Sequence, residues 1–453
     1  MIAEEHLKAA EAVAERLRAA GHRAYFAGGC VRDLLLGREP QDYDVATSAR
    51  PEQVFAVFPR AFGVGSHFGV VLVPQERDGA EIVTEVATFR SDGAYSDGRH
   101  PDAVRYSSDP KEDVLRRDFT INGMLLDPAV LARTGSAEEA VLDWVGGRAD
   151  LKAGVVRAIG EPARRFEEDK LRMLRAVRFA ARFDFDLEAE TRRAIRTRAA
   201  KIHEVSRERV RDELTRMLTE GRARRAFELL DETGLLKEIL PEVSAMHGVE
   251  QPPEFHPEGD VWVHTLLLLE KLPAGASPTL AWGALLHDVG KPATFVRAPD
   301  RIRFNGHAEV GVRMTEAICR RLRFSKYDTE QILLLIENHM RFGDVKKMKE
   351  STLKRFFRLP EFEEHLALHH MDCSSSHGML DLYDYAKQRY EAAPQEEVRP
   401  PLLVTGADLI AAGYRPGPQF KEMLHTAEDA QLEGVVKTRE QGLALVRERF
   451  GRP

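Results

Sequence analysis

The 453-residue sequence is poor in cysteine: Cys30, Cys319 and Cys373 are the only three, widely separated and odd in number. That gives no basis for a disulfide framework or a thiolate zinc site. No apolar run approaches membrane-spanning length. The N-terminal residues carry acids and an amphipathic pattern (Leu7, Ala10, Val13, Leu17) where a signal peptide would have an apolar core. A cytoplasmic protein without a membrane partner is expected. There is no internal repeat and no long low-complexity segment. Nor is there a basic excess: the net charge of −7 argues against indiscriminate coating of nucleic acid, though it leaves room for a local basic stripe. With 43% hydrophobic and 31% charged residues, the composition is that of a globular protein of roughly two to four domains.

The densest chemistry lies in GGCVRDLLLGREPQDYDVAT, Gly28 to Thr47. Arg23 to Ala27 is expected as a short strand, and Gly28-Gly29 as a turn that lets backbone approach a ligand. Cys30 to Leu36 has the spacing of a short helix that Gly37 stops. Its N-terminus, beside Arg32, suits phosphate oxygens. Asp42 and Asp44 follow and, on a strand, share one face. Two carboxylates so placed repel unless a cation sits between them, and oxygen-ligand cations such as Mg²⁺ fit. Further on, PEQVFAVF reads as a helix. Phe68 to Val73 and Glu81 to Phe89 read as strands joined at Asp78-Gly79, and the glycine- and serine-rich stretch around residues 90–105 as a loop. From about Gly160 the periodicity is helical to the C-terminus, with breaks near 241–259, 271–279, 296–306 and 392–405.

Charge changes sign in the helical middle: between Arg157 and Glu228 there are 20 Lys plus Arg against 14 Asp plus Glu. Arg172, Arg175, Arg178 and Arg182 recur every three or four residues, so they line one side of one helix, a pattern suited to a triphosphate or a nucleic-acid backbone. Asp169 and Arg172 stand one turn apart in EEDKLRMLR. Such a pair can form a common helix salt bridge. It can also read a base, since Asp only accepts and Arg only donates: Asp takes the exocyclic amino group that cytosine and adenine share, and Arg donates to the neighbouring ring atom.

The ordered set GGCVRD with DYD, then RRDFTIN, then RAIGEPARRFEEDKLRMLR, then SRERVRDEL resembles the class II tRNA nucleotidyltransferase and bacterial poly(A) polymerase family over about Tyr25 to Leu240. The resemblance implies an α+β fold: an N-terminal polymerase-β-like nucleotidyltransferase head followed by an all-α neck, body and tail. It implies that Asp42 and Asp44 hold catalytic Mg²⁺ with Glu85 as a third acid. Gly28, Gly29, Arg32, Arg117, Asp118, Asn122, Glu168, Asp169, Arg172, Arg175 and Arg178 would bind the nucleotide. The implied partners are tRNA, CTP and ATP, with no DNA, and the implied state is a monomer or homodimer. Gly123 departs from the alanine usual in that motif and could loosen its element. VGSHFGVVLV, Val64 to Val73, resembles tRNA-adding members more than poly(A) polymerases. Enzymes adding only CC or only A share every one of these motifs, so full CCA addition, partial addition and poly(A) synthesis remain alternatives.

A second constellation is histidine-based: His264 near a helix start, His287-Asp288 ending an apolar helix, then His307, His339 and Asp372. Burying an adjacent His-Asp pair is costly unless both are satisfied, and imidazole with carboxylate suits a divalent transition metal. This half resembles the HD superfamily of metal-dependent phosphohydrolases over about Phe255 to His377. That resemblance implies that His264, His287, Asp288 and Asp372 bind metal (Ni²⁺, Mn²⁺, Co²⁺ or Fe²⁺), that His307 and His339 match extra positions of two-metal members, and that Lys291 could contact phosphate. A hydrolase that uses the head only to bind tRNA is the alternative of another class. The expected division is 1–150 head, 151–245 neck, 246–390 HD module and 391–453 tail, the tail contacting tRNA.

Overall fold

The computed structural model describes residues 2–63, 69–77, 79–92, 104–254 and 256–452. The strand start at Phe68, the turn residue Asp78, Phe255 and most of the 90–105 loop lie outside the described residues. The chain divides into two compact units, Met1–Pro241 and Glu242–Pro453.

The first unit is built on a seven-stranded sheet of order β3-β4-β5-β2-β1-β8-β9. Its strands are β1 Ala24–Ala27, β2 Asp44–Thr47, β3 Phe62–Gly63, β4 Val70–Arg77, β5 Ala80–Thr88, β8 Met124–Leu126 and β9 Val141–Asp143; β6 Arg90–Asp92 and β7 Val104–Tyr106 pair separately. The N-terminal helix Ile2–Ala19 turns Ala9, Ala10, Val13, Ala14 and Leu17, all fully buried, inward at helical spacing. Strand register carries the functional consequence. β1 runs antiparallel to β2 with Ala27 opposite Asp44, and β2 runs parallel to β5 with Val45 opposite Val86. Gly28, Asp44 and Glu85 are thereby brought to one end of three adjacent strands. β2 begins only at Asp44, so Asp42 precedes the strand and does not share its pleat.

Gly123 lies where a Cβ would come 2.7 Å from Ile159 Cδ1 and 3.0 Å from Val145 Cγ2. Those side chains occupy the space of the methyl, so the glycine is closely packed and not a loosened hinge.

The rest of the first unit is helical apart from one parallel pair, β10 Val155–Val156 with β11 Asp186–Leu187. The helix Leu171–Phe183 packs between Arg207–Thr219 and Ala223–Glu232, burying Met173, Leu174, Val177 and Phe179. It does not extend back through Asp169. The preceding helix ends at Glu168, and Asp169 is extended at φ −147°, ψ 108°. Its Oδ1 accepts a hydrogen bond from Leu171 N at 3.0 Å, as an N-cap does.

In the second unit the helices Val261–Glu270 and Pro278–Leu286 are apolar on nearly every side and lie at the centre. They pack with Phe362–Ser375, while Lys326–Asn338 packs with Pro278–Leu286 and His307–Arg321 with Lys326–Asn338. The hairpin β12 Val296–Arg297 and β13 Ile302–Arg303 interrupts the expected all-α run. A separate apolar cluster around Leu409, Met423 and Val446 forms the tail. Among the described residues, no helix is long and apolar enough to cross a membrane.

Candidate functional site

In the first unit, a cavity of about 570 Å³ opens where the sheet end meets the Leu171–Phe183 helix. Gly28 forms its floor with φ 73°, ψ −128°, a conformation open to glycine alone. A Cβ there would sit 3.5 Å from Arg117 Nη1 and 3.9 Å from Asp44 Oδ2. Asp44 and Glu85 line one wall, and a contiguous cleft of about 200 Å³ adds Asp42. Burial, with Glu85, pushes Asp44 up to about 6 against the opposing pull of Arg117; Asp42 adds to the rise. Glu85 is raised as well, by burial and by Asp42. Carboxylates that resist ionising together are the donor set a hard divalent cation relieves, so the residues fit Mg²⁺.

The opposite wall is cationic, and its cations are already partnered. Arg175 donates to Asp118 Oδ2 through Nε at 2.9 Å and Nη2 at 2.8 Å. Asp118 Oδ1 accepts from Asn122 Nδ2 at 3.1 Å, and Asn122 Oδ1 accepts from Arg32 Nη1 at 2.6 Å. Four residues thus link the helix to the glycine turn. Although burial opposes it, the Arg175 guanidinium holds Asp118 below its ordinary value. Arg178 donates to Glu213 at 2.7 Å and to Glu220 at 3.2 Å, and Arg182 lies 3.6 Å from Glu220. The stripe therefore exists, but it is not a row of free charges.

Asp169 and Arg172 both line this cavity without pairing with one another. Arg172 Nη1 donates to Glu168 Oε2 at 2.9 Å and its Nη2 to the Arg116 carbonyl at 3.2 Å, while Arg209 Nη2 donates to Asp169 Oδ2 at 2.8 Å. Glu168 is not part of the lining; it holds Arg172 in place. The expected shared helix face is corrected, since the chain breaks between the two residues and each is oriented by a third. Residues missed from sequence include Arg209 and Glu213, both in SRERVRDEL, and Asp113, whose two oxygens take Arg116 and Arg117 at 2.7 and 3.0 Å. The i, i+3 and i, i+4 spacing in EDVLRR was the readable signal for Asp113.

In the second unit, a cavity of about 650 Å³ reaches Asp288, Lys291, His307, His339 and Asp372. Three histidines share one device. His287, His307 and His339 each donate Nδ1–H to the carbonyl three residues back, Ala284, Phe304 and Ile336, at 2.9, 3.0 and 2.6 Å. Nε2 is thereby left as the free nitrogen of each. His307 Nε2 and His339 Nε2 then face one another at 3.2 Å, 3.6 and 4.0 Å from Asp288 Oδ1. Two lone pairs at that distance repel unless a cation or proton intervenes.

Asp288 Oδ2 is 3.1 Å from His287 Nε2, and Asp372 Oδ1 is 3.1 Å from His264 Nε2. All six expected ligands converge in two sets, His264/His287/Asp372 and Asp288/His307/His339, and the donors fit a divalent metal centre. Gly290 keeps the second set together: a Cβ there would be 2.1 Å from the His307 carbonyl. Lys291 is spoken for, donating to Gln251 Oε1 at 2.6 Å and lying 2.7 Å from Asp288 Oδ2. His256 and Glu258, in the unread segment HPEGD, join the centre behind His264.

Matches to known proteins follow this anatomy. Family models match in order: the poly A polymerase head domain over residues 24–157, the probable RNA and SrmB-binding site of polymerase A over 184–246, and the HD domain over 260–372. A multifunctional CCA protein of Pseudomonas paraeruginosa is 34% identical over 430 residues, 92% of this chain and 98% of that protein. The chain belongs to the CCA-adding enzyme family. A CCA-adding enzyme of Lactobacillus gasseri is 37% identical over 279 residues, 61% of this chain and 67% of the relative. The CCA-adding enzyme of Bacillus stearothermophilus, solved in complex with CTP, superposes with a TM-score of 0.74 at 28% identity and 98% coverage of both chains. CCA-adding family members thus share both the head and the fold, and the expected α+β architecture stands.

Proposed function

We propose that this chain adds C, C and A to tRNA 3′ ends from CTP and ATP without a nucleic-acid template, in the cytoplasm, and that its second unit hydrolyses phosphate esters. The observation that carries the first activity is the single cavity that collects Asp44, Glu85, Gly28, Arg117, Asp169 and Arg172. Asp42, Asp44 and Glu85 would hold Mg²⁺, which when bound lowers the pKa of the tRNA 3′ hydroxyl and balances charge on the pyrophosphate. That hydroxyl attacks the α-phosphorus; the bond to the bridging oxygen breaks, and pyrophosphate leaves with the electron pair. Gly28 and Gly29 admit the triphosphate against backbone, and Arg32, Arg117, Arg175 and Arg178 bind and orient its oxygens. Asn122 and Asp118 set the guanidinium groups of Arg32 and Arg175. Asp169 accepts from the amino group of C or A, and Arg172, fixed by Glu168, donates beside it.

Residues 1–150 form the head, 151–245 the neck, 246–390 the HD module and 391–453 a tail that contacts tRNA. In the HD module His264, His287, Asp288, His307, His339 and Asp372 would hold divalent metal, which when bound would polarise a phosphate ester and activate water.

The deciding experiment offers tRNAs ending at the discriminator base, at C and at CC to the enzyme with each labelled nucleotide. Sequential incorporation of C, C and A is expected. Incorporation of A alone, of CC alone, or of long A tails would replace this reading with the corresponding alternative.

A further inference from the structure

His264 is the one ligand-set histidine whose Nδ1 faces a side chain instead of a backbone carbonyl. Helix geometry explains the difference. His287 and His339 cap helix C-termini and His307 opens a helix after a turn, so each finds a carbonyl three residues back. His264 lies inside the first turns of Val261–Glu270, and its Nδ1 has no backbone hydrogen-bond partner among the described residues. Glu258 fills the gap: its Oε1 is 2.7 Å from His264 Nδ1, a charge contact outside hydrogen-bond geometry, and is hydrogen-bonded to His256 Nδ1 at 2.9 Å. The carboxylate is almost wholly enclosed, and its second oxygen, Oε2, is buried without a hydrogen-bond partner. A buried carboxylate carrying an unused oxygen is costly unless a nearby cation or protonated ring offsets it. The segment HPEGD assembles the device. Asp260 caps the helix by accepting from Trp262 N and Val263 N at 2.7 and 3.1 Å, which fixes the chain just before His264 and sets Glu258 behind it.

We propose that Glu258 is a positioning residue of the histidine–aspartate centre. It holds His264 with Nδ1 protonated and Nε2 toward Asp372, and it holds His256 against the cavity wall with Nε2 open. This rests on the reading of the second unit as a metal-dependent hydrolase. A carboxylate behind a metal-binding imidazole fixes its tautomer and raises its basicity, and loss of such a partner commonly costs about 10- to 100-fold in metal affinity. His256, by contrast, touches the centre only through Glu258 and ring contact with His264 at a centroid distance of 4.9 Å. It serves the cavity and not the ligand set.

The test uses the full chain stripped with chelator and titrated with Mn²⁺ alone by calorimetry, and with Co²⁺ alone by its visible d–d absorption. Wild type is compared with Glu258→Ala, Glu258→Gln, His256→Ala and Asp288→Ala, and thermal unfolding of each metal-free variant reports on folding. The expected result is a 10- to 100-fold weaker tightest site and an altered Co²⁺ band for Glu258→Ala. Glu258→Gln, which keeps an acceptor oxygen, should be intermediate, and His256→Ala should stay within about twofold of wild type. Wild-type affinity and spectrum in a folded Glu258→Ala protein would overturn the proposal. Equal losses in His256→Ala and Glu258→Ala would overturn it differently, by making His256, Glu258 and His264 a ligand set. Failure of wild type itself to bind either ion, with Asp288→Ala indistinguishable from it, would overturn the hydrolase reading and the positioning role together.

Discussion

In the head, Asp42, Asp44 and Glu85 line open clefts at the end of a sheet, and the guanidinium groups opposite them are paired with carboxylates of the same unit. In the histidine–aspartate centre, five of the six candidate ligands, His264, His287, Asp288, His307 and His339, are buried and Asp372 is half-buried, and backbone carbonyls or Glu258 lie against the four rings. The first arrangement leaves coordination positions for substrate oxygens, as sites for hard divalent ions that handle phosphates generally do. The second is a cage that can satisfy a softer ion by itself. On the proposed assignment, one centre would be completed by its substrate and the other before its substrate arrives.

The sharpest way to break that contrast is a reciprocal pair of deletions. Asp44→Ala should reduce nucleotide incorporation by at least about 10³-fold, since a metal-holding acid is lost, with Mn²⁺ binding in the second unit unchanged. Asp288→Ala should abolish the latter and leave incorporation intact. Assaying both variants for both properties checks it, and loss of both properties in either variant would erase the separation.

Next in size are the glycines on which each centre rests. Gly290→Ala forces a Cβ into the His307 carbonyl, and a destabilisation of about 2–4 kcal/mol confined to the second transition is expected in a urea melt. Gly28→Ala places a side chain in a strained conformation, costing about 1–3 kcal/mol, and should raise the KM for nucleotide by more than it lowers stability.

Arg209→Ala is expected to be milder. Releasing Asp169 should lower discrimination against UTP and GTP about tenfold, consistent with about 1.4 kcal/mol for one oriented hydrogen bond, while addition itself persists. Competition between labelled CTP and UTP measures it. Unchanged selectivity would show that Leu171 N alone fixes the carboxylate.

The two centres should also differ in pH dependence: both affinities rise with pH, but over different ranges. Asp44, pushed up to about 6, binds a proton that Mg²⁺ must displace, so affinity in the head should fall about tenfold per unit below pH 6 and level off above it. Against the effect of burial, Asp372 and Glu258 hold metal-free His264 up at about 9, so affinity in the second unit should keep rising toward pH 9. Parallel titrations from pH 5 to 9 separate the two curves.

How much of this could be read without coordinates depended on distance along the chain. The glycine turn, the acids and the HD pair were legible because each is local: a turn, a strand and helix ends bring nearby residues together. Asp169 was harder, because every residue of EEDK tolerates a helix, and Arg209, which bonds its carboxylate, lies forty residues on. Even so, an aspartate two residues before an apolar helix is an N-cap signature that could have been given more weight. His256 and Glu258 escaped because HPEGD resembles an ordinary polar approach to a helix. Only folding shows that one of its two acids, Asp260, caps while the other, Glu258, turns inward. Arg175 and Arg178, expected in one stripe along a helix, line the cavity, but their carboxylate partners Asp118 and Glu213 lie 57 and 35 residues away in sequence.

Those partners keep the cations of the cavity in position before any anion arrives. A triphosphate bound there would not meet bare positive charge; it would share guanidinium groups with Asp118 and Glu213, which stay in place. The net field it meets would be smaller than a row of arginines suggests, and its dependence on added salt correspondingly shallower.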